Sequence, residues 1–152
     1  FKFKMFLRMI TENLTKYEVF HLSETIQVEK ETLSGFDKTV GLLDAINELL
    51  AYCLQNIVVD GKLKISLFDI PSLYQAAKKF VQVIIDLFGT NYASLVQGLA
   101  PINGFSIIAE YFAWCIGSIV SDGKVSVSIW KIIPFVIRTI KLIRQLVDRY
   151  KK

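Results

Sequence analysis

Apolar residues recur at three- and four-residue steps in two separate stretches of the chain. Leu42, Leu43, Ile46, Leu49, Leu50, Cys53, Leu54 and Ile57 follow this spacing, which predicts a helix with one buried stripe. Beyond Gly61, Leu63-Lys64-Ile65 alternates like a short extended segment. Between Leu73 and Leu87 a second helical face follows, carried by Ala76, Ala77, Phe80, Val83, Ile84 and Leu87, and Gly89 ends it. The whole pattern then returns. Ile107, Ile108, Tyr111, Phe112, Cys115, Ile116 and Ile119 form a stripe, Val125-Ser126-Val127 alternates, and Ile133, Val136, Ile137, Ile140, Ile143 and Val147 line a long last helix.

The return has a fixed offset of 62 residues with no gap. Ala51-Tyr52-Cys53-Leu54 aligns with Ala113-Trp114-Cys115-Ile116, and Ile57 to Ser66 with Ile119 to Ser128 through the shared Asp-Gly-Lys. Glu48/Glu110, Ile70/Ile132, Lys79/Lys141 and Asp86/Asp148 extend the match, while Pro71 and Pro134 miss the register by one. Self-similarity of this kind marks a repeated supersecondary unit. The expected fold is all-α: a four-helix bundle from two tandem helix–turn–helix repeats, residues 35–89 and 105–152, with an extended N-terminal arm over 1–34 and a connector over 90–104. Neither repeat alone covers its stripes; packed together, four helices bury both, and the two extended triplets pair side by side.

The turns are read from their chemistry. Gly61 and Gly123 sit where a helix ends in a left-handed residue, so Asp60-Gly61-Lys62 and Asp122-Gly123-Lys124 are expected helix stops, with the lysines near the negative end of the helix dipole. Ser66 caps the next helix with Asp69 three residues on, Ser128 matches it, and Pro71 makes the start of that helix irregular. Gly98, Pro101, Asn103 and Gly104 make the connector a loop with one turn of helix over Ala93–Leu99. Lys16 to Thr32 is rich in Thr, Val, Tyr, Phe, Ile and Glu with partial alternation, which favours an extended arm; Phe1–Leu14 fits helix or strand. Two destinations are open for the arm: a neighbouring subunit, or its own bundle.

Composition narrows the function. The 152 residues are 53% hydrophobic and 21% charged, with mean hydropathy +0.43, which excludes general disorder. Cys53 and Cys115 are too few for a disulfide framework. Eighteen basic and fourteen acidic residues leave +4. Phe1 to Arg8 lacks the apolar run and cleavage site of a signal peptide.

Candidate chemistry is sparse. A calcium loop needs oxygen ligands at alternate positions ahead of its glycine, yet Gly61 follows Asp60 directly and Lys62, Lys64 and Lys124 fill ligand places. Cys53 and Cys115 are expected as buried small side chains. Glu48 and Glu110 belong on polar faces, Glu110 with the option of a basic partner. His21 stands alone in the arm. No metal or cofactor is expected, and no enzyme, since no nucleophile, oxyanion site or phosphate loop accompanies the carboxylates. Lys131, Arg138, Lys141, Arg144 and Arg149 give the last helix a basic face. Such a face can meet phosphates of nucleic acid or anionic lipid, or stay solvated; no nucleic-acid motif accompanies it. The stretch from Leu87 to Ser121 carries only Glu110 as a charge. It is long enough for a span but broken by Gly89, Gly98, Pro101 and Gly104.

The tandem Asp-Gly-Lys hairpins, each followed by an apolar-x-apolar-Ser run over Leu43–Asp86 and Phe105–Asp148, resemble those of small structural proteins of tailed phages. Similar turns occur in tellurite-resistance-type helical domains and in phage membrane proteins. The resemblance implies a virion or assembly component with no catalytic residues to carry over. The expected function is a non-enzymatic structural subunit, in a homo-oligomer or larger assembly of a virion, packing on neighbours through its arm and apolar helix faces. The alternative is a membrane-associated helical protein, holin-like or anchored, in the membrane or cytoplasm of the host cell, using the apolar 87–121 stretch and the basic last helix.

Overall fold

A computed structural model describes residues 14–151 together with Met5 and Arg8. The choice between helix and strand for the opening segment falls mainly outside that description. The fold is all-α. In chain order it holds α1 (Lys16–Thr32), α2 (Asp37–Asn56), β1 (Val58–Val59), β2 (Lys62–Leu63), a 3-10 turn (Leu67–Asp69), α3 (Ile70–Phe88), α4 (Tyr92–Leu99), α5 (Phe105–Ile119), β3 (Val120–Ser121), β4 (Lys124–Val125), a second 3-10 turn (Ile129–Lys131) and α6 (Ile132–Tyr150). From β1 to α3 and from β3 to α6, every element starts and ends 62 residues after its counterpart.

The Asp-Gly turns differ from the expected helix stops. α2 has already ended at Asn56, where the Ile57 N–H donates to the Cys53 carbonyl at 3.0 Å. The β-branched Val58 and Val59 then favour extended backbone. Asp60 and Gly61 both take positive φ, 53° and 76°, as do Asp122 and Gly123 at 52° and 74°. Two successive left-handed residues make the two-residue hairpin turn whose twist matches the strands it joins. β1 therefore pairs with β2, and β3 with β4, each antiparallel within its own unit. The extended triplets do not pair with each other. Lys62 and Lys124 lie in strands, away from any helix end.

The expected extended arm is overturned too. Lys16–Thr32 is a 17-residue helix that packs on α2 and α6. The partial alternation hid a helical spacing: Val19, Leu22 and Ile26 are fully buried, on one face. Thr15 and Glu18 form a capping box, with the Glu18 N–H donating to Thr15 Oγ1 at 3.1 Å and the Thr15 N–H to Glu18 Oε1 at 3.1 Å. Burial acts against the Glu18 charge, but the Lys151 ammonium and the Thr15 donors outweigh it and hold the carboxyl below its ordinary value.

The connector is more ordered than one turn. α4 has eight residues, with Asn91 capping through the Ser94 N–H at 3.1 Å, and Leu95, Leu99 and Ile102 are buried. Thr39 Oγ1 donates to the Gly98 carbonyl at 2.8 Å, tying α2 to α4. Gly98 sits against Phe88, whose ring carbon lies 2.3 Å from where a Cβ would stand, so a side chain there displaces the ring. The expected stripe of α6 is also rotated. Ile133 is exposed and Ile137 half-buried, while Phe135, Leu142, Leu146 and Tyr150 join the core. α6 is covered by α1, α3 and α5 together, so it buries more than one stripe. Tyr111 and Thr139 share a buried 2.8 Å hydrogen bond. The Thr139 proton goes to the Phe135 carbonyl at 2.9 Å, so Tyr111 is the donor.

Candidate interaction surface

The two Asp-Gly-Lys turns are exposed hairpin tips. Each turn has two residues, which leaves no room for the long ligand loop that calcium takes. Among the described residues no three of His, Cys, Asp and Glu gather at one place. Cys53 and Cys115 are free and buried, and burial pushes both thiols up to about 12. Glu48, Glu110 and His21 are exposed, His21 stacking on Tyr17 with ring centroids 6.2 Å apart.

Of the basic residues of the last helix, Arg138, Arg144 and Arg149 each have a different partner. Arg138 lies over the Trp114 ring, 5.6 Å from its centroid, and lines a small pocket with Lys141 and Glu110. Arg144 pairs with Asp148 at 3.4 Å, and Arg149 Nε donates to Asn103 Oδ1 at 3.1 Å. Lys131 lies in the second 3-10 turn, outside α6, and is exposed. Among the described residues no helix is long and apolar enough to cross a membrane. The apolar 87–121 stretch is spent on the core, through Phe88, Leu95, Leu99, Ile108 and Phe112.

The most exposed large apolar side chains stand in the 3-10 turns after the hairpins. Phe68 is 93% exposed and Trp130 85%, at matching places 62 residues apart, with Leu67 and Ile129 beside them at 49% and 75%. Each knuckle is followed within a few residues by an exposed proline, Pro71 or Pro134. Lys62, Lys64, Lys124 and Lys131 are the exposed cations nearby in sequence. Local capping differs between the two. The Ser66 N–H and hydroxyl donate to Asp69 Oδ2 at 2.7 and 3.0 Å. Ser128, expected to cap likewise, makes no side-chain cap, because Lys131 replaces the acid. Phe68 and Trp130 lie outside the helical spacings that mark the core stripes. The signal was present: aliphatic–aromatic pairs at the common offset, out of phase with the stripes on either side.

The two units also differ in the groove between their long helices. Between α2 and α3 a groove of 420 Å³ is lined by Ala45, Glu48, Leu49, Tyr52, Ala76, Lys79, Phe80 and Val83, among others. The matching place between α5 and α6, at Glu110, Tyr111, Arg138, Lys141, Leu142 and Gln145, holds 30 Å³. The larger side chains account for the difference. Arg138 stands where the first unit has Ala76, and Trp114, stacked on Phe135 with centroids 6.4 Å apart, stands where it has Tyr52.

No protein-family model, curated protein or solved structure matches the chain.

Proposed function

We propose that the protein is a non-enzymatic assembly subunit, made of two copies of one helix–hairpin–helix unit, α2–α3 and α5–α6, with α1 packed on α2 and α6. It packs on neighbouring copies through the knuckles at Phe68 and Trp130. The observation that carries this reading is the near-complete exposure of these two rings at matching positions. A core-forming side chain of this size in water forfeits about 1.5–3 kcal/mol of burial, and aromatic residues are favoured anchors of interfaces. The resemblance to small phage structural proteins supports placing the assembly in a virion. Sedimentation velocity over a range of concentrations tests the reading. Wild type is expected to sediment as a concentration-dependent oligomer and the Phe68→Ser/Trp130→Ser variant as a monomer of unchanged helicity. A wild-type chain that stays monomeric up to about 1 mM, the concentration at which contacts worth about 4 kcal/mol are half-filled, contradicts it.

A second reading draws on the exposed lysines beside the same rings: contact with an anionic bilayer surface, where aromatic and basic side chains cooperate. Co-flotation with phosphatidylserine vesicles, lost at high salt, supports that reading; absence from the vesicle fraction rejects it.

A further inference from the structure

We infer that the open groove between α2 and α3 is the receptor for the Ile129-Trp130-Lys131 knuckle of a second copy, so that the chain associates head to tail. This deepens the assembly reading and rests on it. The chain itself indicates what fills such a groove. In the second unit the matching space shrinks to 30 Å³, lined by Glu110 and by Arg138, whose guanidinium lies over the Trp114 ring. In the first unit Glu48 and Lys79 line the groove as Glu110 and Lys141 do in the second, but Ala76 removes the further cation, and 420 Å³ of mainly apolar space stays open. The knuckle at Trp130 presents the missing combination from outside: an 85% exposed indole followed by an exposed Lys131. The other knuckle does not, because Phe68 is followed by Asp69, an acid held by Ser66, where Trp130 is followed by a cation. Burying an indole in such a groove gives the anchor-in-pocket contact that dominates interface energies, and Lys131 opposite Glu48 sets its direction. Because knuckle and groove are different surfaces, the contact is heterologous and generates a ring or an open filament.

Two variants separate the halves of the joint. Trp130→Ala removes the knuckle and keeps the groove; Ala76→Arg fills the groove as Arg138 does and keeps the knuckle. Both positions are at least partly exposed, and circular dichroism checks that each variant keeps its helicity. In sedimentation velocity each variant alone is expected to associate at least about tenfold more weakly than wild type. Mixed in equal amounts, the two are expected to form a one-to-one dimer that grows no further. The exchange Glu48→Lys with Lys131→Glu is expected to restore association that either change alone weakens. If Ala76→Arg associates as wild type does, or the mixture stays monomeric, the groove is not the receptor, while the assembly reading stands. If wild type itself never associates, the assembly reading fails with it.

Discussion

At the first hairpin the outer edge of β2 is finished by the chain's own backbone. The Leu63 N–H donates to the Leu14 carbonyl at 3.0 Å and the Lys16 N–H to the Gly61 carbonyl at 2.8 Å. At the second hairpin the matching Val125 N–H donates instead to Gln82 Oε1 on α3, at 3.1 Å. The position on α6 that matches Gln82 is Arg144, which has no acceptor to offer; Leu63 takes its acceptor from the segment leading into α1. The same turn geometry is thus completed in two ways. The first unit relies on α1 and leaves its helix groove open; the second relies on its neighbour α3 and fills its groove with Trp114 and Arg138. One frame, used twice, has been specialised by side chains at its margins.

The largest effect expected from this comparison is on α1. Deleting residues 1–34 removes Leu14, Val19, Leu22 and Ile26 from the core, each worth about 1.5–3 kcal/mol of burial. The sum approaches the whole stability of a domain this size, so the truncated chain is expected to lose its cooperative thermal transition. A truncated chain melting within a few degrees of wild type would show that the first unit does not need α1.

The turn substitutions come next. Gly61→Val and Gly123→Val each force a β-branched residue to positive φ and are expected to cost about 1–3 kcal/mol in denaturant unfolding. Similar losses sharpen the equivalence of the turns; a loss at one alone breaks it. The smallest effect separates the caps. Asp69→Ala is expected to cost about 1 kcal/mol through its lost bonds to Ser66, whereas Ser128→Ala is expected to stay within about 0.5 kcal/mol of wild type. Equal costs at the two sites would contradict the different capping.

The stripes of α2 and α5 and the offset of 62 were legible in the sequence because helix periodicity and identity survive as simple spacings. On α3, Ala77, Phe80 and Ile84 of the expected face are buried, but Ala76, Val83 and Leu87 are half-buried and Val81, Ile85 and Phe88 take their place in the core. The Asp-Gly dipeptide was legible as a turn, but its type was not. A left-handed glycine serves both a helix end and a hairpin, and only the β-branched run before it tips the balance to strands. The helix α1 is hidden in the sequence despite its capping box Thr15-x-x-Glu18, because the exposed apolar residues Tyr17, Phe20 and Val28 interrupt the pattern. The open groove could not be read in advance. It depends on the absence of a side chain at Ala76, and a missing volume leaves no mark until both helices are in place.

The head-to-tail joint is tested most directly by the environment of Trp130. The chain has two tryptophans, so in a Trp114→Phe background the emission reports on Trp130 alone. The account predicts a blue shift as protein concentration rises, with the shift abolished by Ala76→Arg. Emission that stays water-like at every concentration, or a shift that Ala76→Arg leaves intact, would contradict it.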